Sequence, residues 1–220
     1  MQTAFIFDLD GVIVDTARFH YLAWQRLASQ LGFSFTERDN EALKGVSRMK
    51  SLDIILELGN LSFNESERQE LADRKNQWYV EMLQTLDQSH VLPGAGVFIH
   101  TARQKGIKTA LGSASKNART ILEKLDLLAG FDAIVDGTMT SRAKPDPEVF
   151  LMGAEMLGVP PENCVVFEDA QAGIEAALAS GMKVVGIGDE QQLKNADLVL
   201  PSLDQITPEF ILSETGLHPK

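Results

Sequence analysis

A single cysteine, Cys164, is all the thiol chemistry the chain carries. That excludes an intrachain disulfide and any cysteine-built zinc site, and it fits a reducing compartment. Cys164 itself reads as a buried strand residue. Long apolar runs are missing too. No stretch of about 18 uncharged apolar residues is available to cross a membrane, and Asp8 and Asp10 interrupt the N-terminal segment too early for a secretory signal. A cytoplasmic location and no membrane partner are expected. Basic residues are outnumbered, 20 Lys and Arg against 31 Asp and Glu, for a net charge of −11. Such a field repels phosphate backbones, so no nucleic-acid partner is expected, although a local cluster of cations can still hold a small anion. Nucleotide signatures fail as well: Gly94-Ala95-Gly96 lacks the third glycine of a dinucleotide fingerprint, and no loop ends in Gly-Lys-Ser/Thr. Four histidines, His20, His90, His100 and His218, have no metal-ligand spacing.

What is present is an ordinary globular composition, 44% apolar and 23% charged, over 220 residues. At about 150 residues per domain this suggests one large domain or a core with a smaller insert. Short β-branched or aromatic runs at Ala4 to Phe7, Lys108 to Leu111, Ala133 to Val135, Val165 to Phe167, Val184 to Ile187 and Leu198 to Leu200 read as buried strands. From Lys108 onward they alternate with helical patterns at Ala118 to Leu125, Pro147 to Leu157 and Gln171 to Ser180, the rhythm of a parallel α/β sheet. Gly106, Gly158 and Gly181 sit where helices should stop. Between the first strand and the second, Thr16 to Leu31, Ser47 to Leu58 and Asn64 to Leu86 look helical. Ser47 is placed as an N-cap, and Asn64 with Glu67 resembles a capping box. The division expected is an α/β core of residues 1–15 and 88–220 with a helical cap of residues 16–87, hinged near Asp15 and near Leu92-Pro93-Gly94.

Chemistry concentrates at strand ends. Asp8 and Asp10 follow Phe5-Ile6-Phe7, and Glu168-Asp169 follow Val165-Val166-Phe167, which places both pairs on the carboxyl edge where open α/β sheets bind ligands. Carboxylates converging there repel unless a cation sits among them, and magnesium suits an all-oxygen set that meets phosphate. Two other strand ends offer phosphate partners. Gly112-Ser113-Ala114-Ser115 supplies hydroxyls and backbone amides. Lys144, beside Pro145 and Pro147, supplies a positive charge, although taken alone it reads as a solvated loop cation.

The string Asp8-Leu9-Asp10-Gly11-Val12, then Ser113, then Lys144, then Glu168-Asp169 resembles the four ordered motifs of the haloacid dehalogenase superfamily. More narrowly, the chain is similar to the β-phosphoglucomutase family. That likeness rests on Asp15-Thr16-Ala17 with His20 and Trp24, Leu43-Lys44-Gly45-Val46-Ser47-Arg48, Arg74-Lys75-Asn76, Ser113-Ala114-Ser115-Lys116-Asn117 and Glu168-Asp169-Ala170-Gln171-Ala172-Gly173-Ile174. The resemblance implies a doubly wound, Rossmann-like parallel-sheet core with an inserted all-helical cap, and interconversion of β-glucose 1-phosphate and glucose 6-phosphate through an aspartyl phosphate. It implies Asp8 as nucleophile and Asp10 as general acid/base. Asp8, the backbone carbonyl of Asp10, Asp169 and Glu168 would hold Mg2+, and Ser113 and Lys144 would hold the transferring phosphate beside Ala114. Arg48 with Lys116 and Asn117 would hold the distal phosphate, while Thr16, His20, Trp24, Lys44, Gly45, Ser51 and Lys75 would complete the sugar site. A monomer acting on a phosphorylated hexose is expected. Two departures touch substrate preference: Gly112 stands where a small alanine is usual, and Asp146 sits between two prolines where mutases often carry alanine. The competing expectations are a small-phosphate phosphatase using the same Asp8 and, from another class, a non-catalytic phosphosugar sensor. Without the family, Trp24 would be cap core, His20 a surface residue, and Arg48 and Lys75 solvated helix charges.

Overall fold

The computed structural model describes residues 2–217, so His218 lies outside the described residues. Six strands, β1 (Ala4–Phe7), β2 (Lys108–Gly112), β3 (Ala133–Val135), β4 (Cys164–Glu168), β5 (Lys183–Ile187) and β6 (Leu198–Leu200), form one sheet in the order β3-β2-β1-β4-β5-β6. All the pairings are parallel. β1 is central because its four residues are apolar and buried on both faces, as a covered parallel strand requires. Phe7 pairs with Leu111 on one side and Phe167 on the other. The strand order therefore reverses between β1 and β4, and the crevice at such a switch point lies over the carboxyl ends of those two strands. One face packs Phe5, Phe7 and Phe167, with the Phe7 and Phe167 rings stacked 4.7 Å apart. The other packs Ile6, Ala110, Phe150 and Val166. Cys164 is buried in β4, as expected.

The insert holds α1 (Ala17–Gln30), α2 (Glu37–Asn40), α3 (Arg48–Leu58) and α4 (Glu65–Met82). Trp24, Leu27, Leu52, Ile55, Ala72 and Tyr79 make its interior. Ser47 caps α3 by accepting the Lys50 N–H at 3.3 Å, and Asn64 and Glu67 form the reciprocal capping box of α4. The pattern read through to Leu86 stops earlier: α4 ends at Met82, Leu83–Thr85 form a 3-10 turn, and Leu86 is extended. There Asp87 turns the chain by accepting the Ser89 N–H at 2.9 Å. The two connections to the core run side by side, with Val14 bridged to Val91 and the Asp15 N–H donating to the His90 carbonyl at 2.9 Å.

The core helices are α5 (Ala95–Gln104), α6 (Ala118–Lys124), α7 (Glu148–Leu157), α8 (Gln171–Ala179) and α9 (Pro208–Thr215). The sequence patterns name α6, α7 and α8 but not α2, α5 or α9. α5 carries Gly96, Val97, Ile99 and Thr101, weak helix formers, and its helix is held by burial of Phe98, Ile99 and Ala102. Gly106, Gly158 and Gly181 all have positive φ, which explains why the helices before them stop there.

Candidate active site

Asp8 extends the ladder of β1, its N–H donating to the Phe167 carbonyl at 2.9 Å. Its carboxylate meets Lys144, whose ammonium donates to Asp8 Oδ1 at 2.6 Å and also to Glu168 Oε1. Lys144 is 3% exposed, so the solvated loop cation is not what the structure places here. No local spacing reports this, because Lys144 and Asp8 are 136 residues apart. Burial works against its charge, but Asp8 and Glu168 outweigh that and hold the ammonium protonated above the usual lysine range. Glu168 is also fixed by the Ala170 N–H at 3.0 Å, and a side chain at Gly173 would collide with its carboxylate. Gly11 plays the same part for Asp169.

Asp8, Glu168 and Asp169 each offer an oxygen, all within 4.8 Å of one another. Three carboxylates thus face one buried ammonium. Burial first, then mutual repulsion, pushes Asp169 above the usual carboxylate range, and burial raises Glu168 although Lys144 draws it part of the way back. The donor set is all oxygen and carries surplus negative charge, which fits a hard divalent cation.

A cavity of about 390 Å³ opens above this edge. All the residues predicted for the site line it except Thr16, Lys144 and Glu168, which lie behind its wall. Thr16 is fully buried, and its hydroxyl donates to Asp10 Oδ1. Burial and then the charge of Asp8 raise the Asp10 carboxyl to about 6, against the lowering influence of Thr16. On the core wall, Ser113 Oγ accepts the Ser115 N–H at 3.1 Å and Ser115 Oγ accepts the Asn117 N–H at 3.2 Å. Two amides expected to be free for an anion are therefore engaged by the loop's own hydroxyls. Asn117 in turn donates to Asn76 Oδ1 of α4 at 3.1 Å, tying core to cap.

The cap wall carries Arg48 at the start of α3 and Lys75 in mid-α4. Lys75 is 2% exposed, not a surface charge. Its ammonium donates to His20 Nδ1 at 2.9 Å and lies over the rings of Trp24 at 4.6 Å and Tyr79 at 4.9 Å. Burial, then the nearby Arg48, brings Lys75 down to about 7. Burial and Lys75 keep the His20 imidazole neutral, well below its usual range, and His20 Nε2 stands 3.9 Å from Asp10 Oδ1. Trp24 is both cap core and cavity wall. Tyr79 was not predicted. Its buried hydroxyl has no hydrogen-bond partner among the described residues, and burial followed by Asp10 raises it well above the usual phenol range. The signal for it was its place four residues after Lys75 on one helix face.

The haloacid dehalogenase-like hydrolase family profile matches residues 2–181. A protein of Bacillus subtilis named beta-phosphoglucomutase is 43% identical over 213 residues, covering 96% of this chain and 94% of its own. A phosphorylated carbohydrates phosphatase of Thermotoga maritima is 31% identical, covering 96% of each. The crystal structure of beta-phosphoglucomutase from Clostridium difficile superposes with a TM-score of 0.94 at 44% identity, covering 98% of each chain. The profile match takes in the acid pairs after β1 and β4, Ser113, Lys144 and the entire helical insert, and the chain belongs to the haloacid dehalogenase-like hydrolase family.

Proposed function

We propose that this protein interconverts β-D-glucose 1-phosphate and glucose 6-phosphate through a phosphorylated Asp8 and a 1,6-bisphosphate intermediate. The observation that carries the proposal is the placement of Arg48 and Lys75 on a helical cap, across one cavity from Asp8 and Asp10. A hydrolase of small monophosphates needs one phosphate site and a water. A mutase needs a second phosphate site, and it must keep water from the aspartyl phosphate while the bisphosphate turns over. The relatives named beta-phosphoglucomutase support the same reading.

In this scheme Asp8 accepts the phosphoryl group and Asp10, with a carboxyl near 6, gives a proton to and takes it from the sugar hydroxyl. Ser113 and Lys144 bind the transferring phosphate, and Arg48, Lys116 and Asn117 bind the distal one. His20, Trp24, Lys44, Ser51 and Lys75 contact the sugar, with Thr16 orienting Asp10 from behind. Asp8, the Asp10 carbonyl, Asp169 and Glu168 would hold Mg2+, which when bound neutralises charge on the phosphoryl oxygens. The core comprises residues 1–15 and 88–220, the cap residues 16–87, and the chain acts as a monomer in the cytoplasm.

The test is incubation with β-glucose 1-phosphate, Mg2+ and a trace of β-glucose 1,6-bisphosphate, following glucose 6-phosphate and free phosphate together. Glucose 6-phosphate should account for nearly all substrate consumed. Free phosphate equal to the substrate lost would move the assignment to a sugar-phosphate phosphatase, the activity for which the Thermotoga maritima relative is named.

A further inference from the structure

A second cavity, of about 180 Å³, adjoins the acid cluster. Its walls are Gly11 and Val12 after β1, Leu92 and Pro93 of the returning connection, and the loops that follow β5 and β6. Only Asp169 and Lys44 belong to both this cavity and the sugar cavity. Asp169 is therefore a partition, reachable from two sides.

The two approaches differ in charge. From the sugar cavity, Arg48 and Lys116 stand on the walls and repel an incoming dication, while Arg142 is paired with Asp146 at 3.0 Å. In the second cavity Lys44 is the only cation on the wall among the described residues, its ammonium is paired with Glu41 at 2.9 Å, and Asp189 adds a carboxylate. Magnesium sheds water reluctantly, so its path must admit hydration water; at about 180 Å³ this cavity has room for several water molecules. The absent side chain of Gly11 leaves the backbone after β1 lying directly against the Asp169 carboxylate.

We infer that the second cavity is the route by which the divalent cation reaches and leaves its seat, so that metal exchanges while a phosphosugar occupies the main cavity. The inference rests on the metal assignment above. It assigns Gln192 and Ser202, which line the second cavity but not the first, as residues that govern metal exchange without touching substrate.

The experiment uses Mn2+ as the probe, its release timed by stopped flow against excess chelator. It is run on the parent, Gln192→Trp and Ser202→Trp, each with and without saturating glucose 6-phosphate. Either tryptophan should slow release by about 10-fold or more while changing the equilibrium Mn2+ affinity by less than about 2-fold, because a narrowed route slows entry and exit alike. Glucose 6-phosphate should leave parent release unchanged. Parent-like release from both variants, or release arrested by glucose 6-phosphate, overturns the route while leaving the metal assignment standing. A parent that binds no Mn2+ overturns both. Two positions in separate loops guard against one variant failing to fold.

Discussion

At the residue scale the arrangement around Asp8 sets a clear expectation. Asp8→Asn keeps the shape and the Lys144 contact but removes the proposed nucleophile, so turnover should fall by several orders of magnitude and the phosphorylated enzyme should vanish from intact-mass spectra. Retention of more than about a tenth of the activity would exclude covalent catalysis at this position. Lys75 makes a prediction of the opposite kind. Its ammonium sits buried on His20 and two aromatic rings, with its proton lost near pH 7 in the folded state against about 10.5 in an unfolded chain. Because the unfolded state binds the extra proton, the folded protein gains stability as pH rises from about 7 toward 10.5, and the full cost of burying this lysine is present below 7. Lys75→Met should therefore stabilise the fold by about 1–3 kcal/mol at pH 6, with the gain shrinking by pH 9, while impairing activity. Urea midpoints at the two pH values measure it, and an equal or larger gain at pH 9 would show that the burial cost lies elsewhere.

At the scale of elements, two cap positions that face the core set expectations. Gly45, with φ of +72°, would put a Cβ 2.9 Å from the Ala170 side chain at the start of α8. Gly45→Val strains the cap loop between α2 and α3 and wedges the cap away from α8 of the core, so KM for the sugar phosphate should rise by about 10-fold or more with little change in the melting temperature of the core. A large loss of stability with unchanged KM would instead make Gly45 a folding residue. Arg48 at the head of α3 tests the second-phosphate site. Each charge-assisted contact contributes about 1.5–3 kcal/mol, so Arg48→Ala should cut mutase turnover roughly 10- to 150-fold while leaving hydrolysis of a small monophosphate intact or raised. An unchanged ratio of the two rates would favour the hydrolase. The strands were legible almost to the residue, because a doubly covered parallel strand is a bare apolar run bounded by turns, as in β1 and β4. α9 carried a readable signal in Thr207-Pro208 and Gly216, a cap, a first-turn proline and a stop, but only eight residues between them. The acids after β1 and β4 could be placed from sequence because strand ends place them. The burial of Lys144 and Lys75 could not, since it depends on which distant segments close over them.

For the whole molecule, the proposed cation site on Asp8, Glu168 and the half-buried Asp169 would couple metal to stability. Mg2+ at about 100 times its dissociation constant should add about 2.7 kcal/mol and raise the melting temperature by roughly 5–10 °C. Asp169→Ala should abolish the shift, and a shift that persists in that variant would place the metal elsewhere. The sheet order has a consequence for how the protein is made. β1 leaves the ribosome first, yet its neighbours are strands beginning at Lys108 and Cys164. At about 5–20 residues per second, the apolar segment Ala4–Phe7 lacks its first neighbour until about half of the chain has been synthesised and its second until about three quarters, on the order of ten seconds. Every nascent chain that stalls within the cap or before β4 therefore exposes the strand that the finished sheet hides most completely, and translation, rather than equilibrium stability, is where this fold is most vulnerable to aggregation.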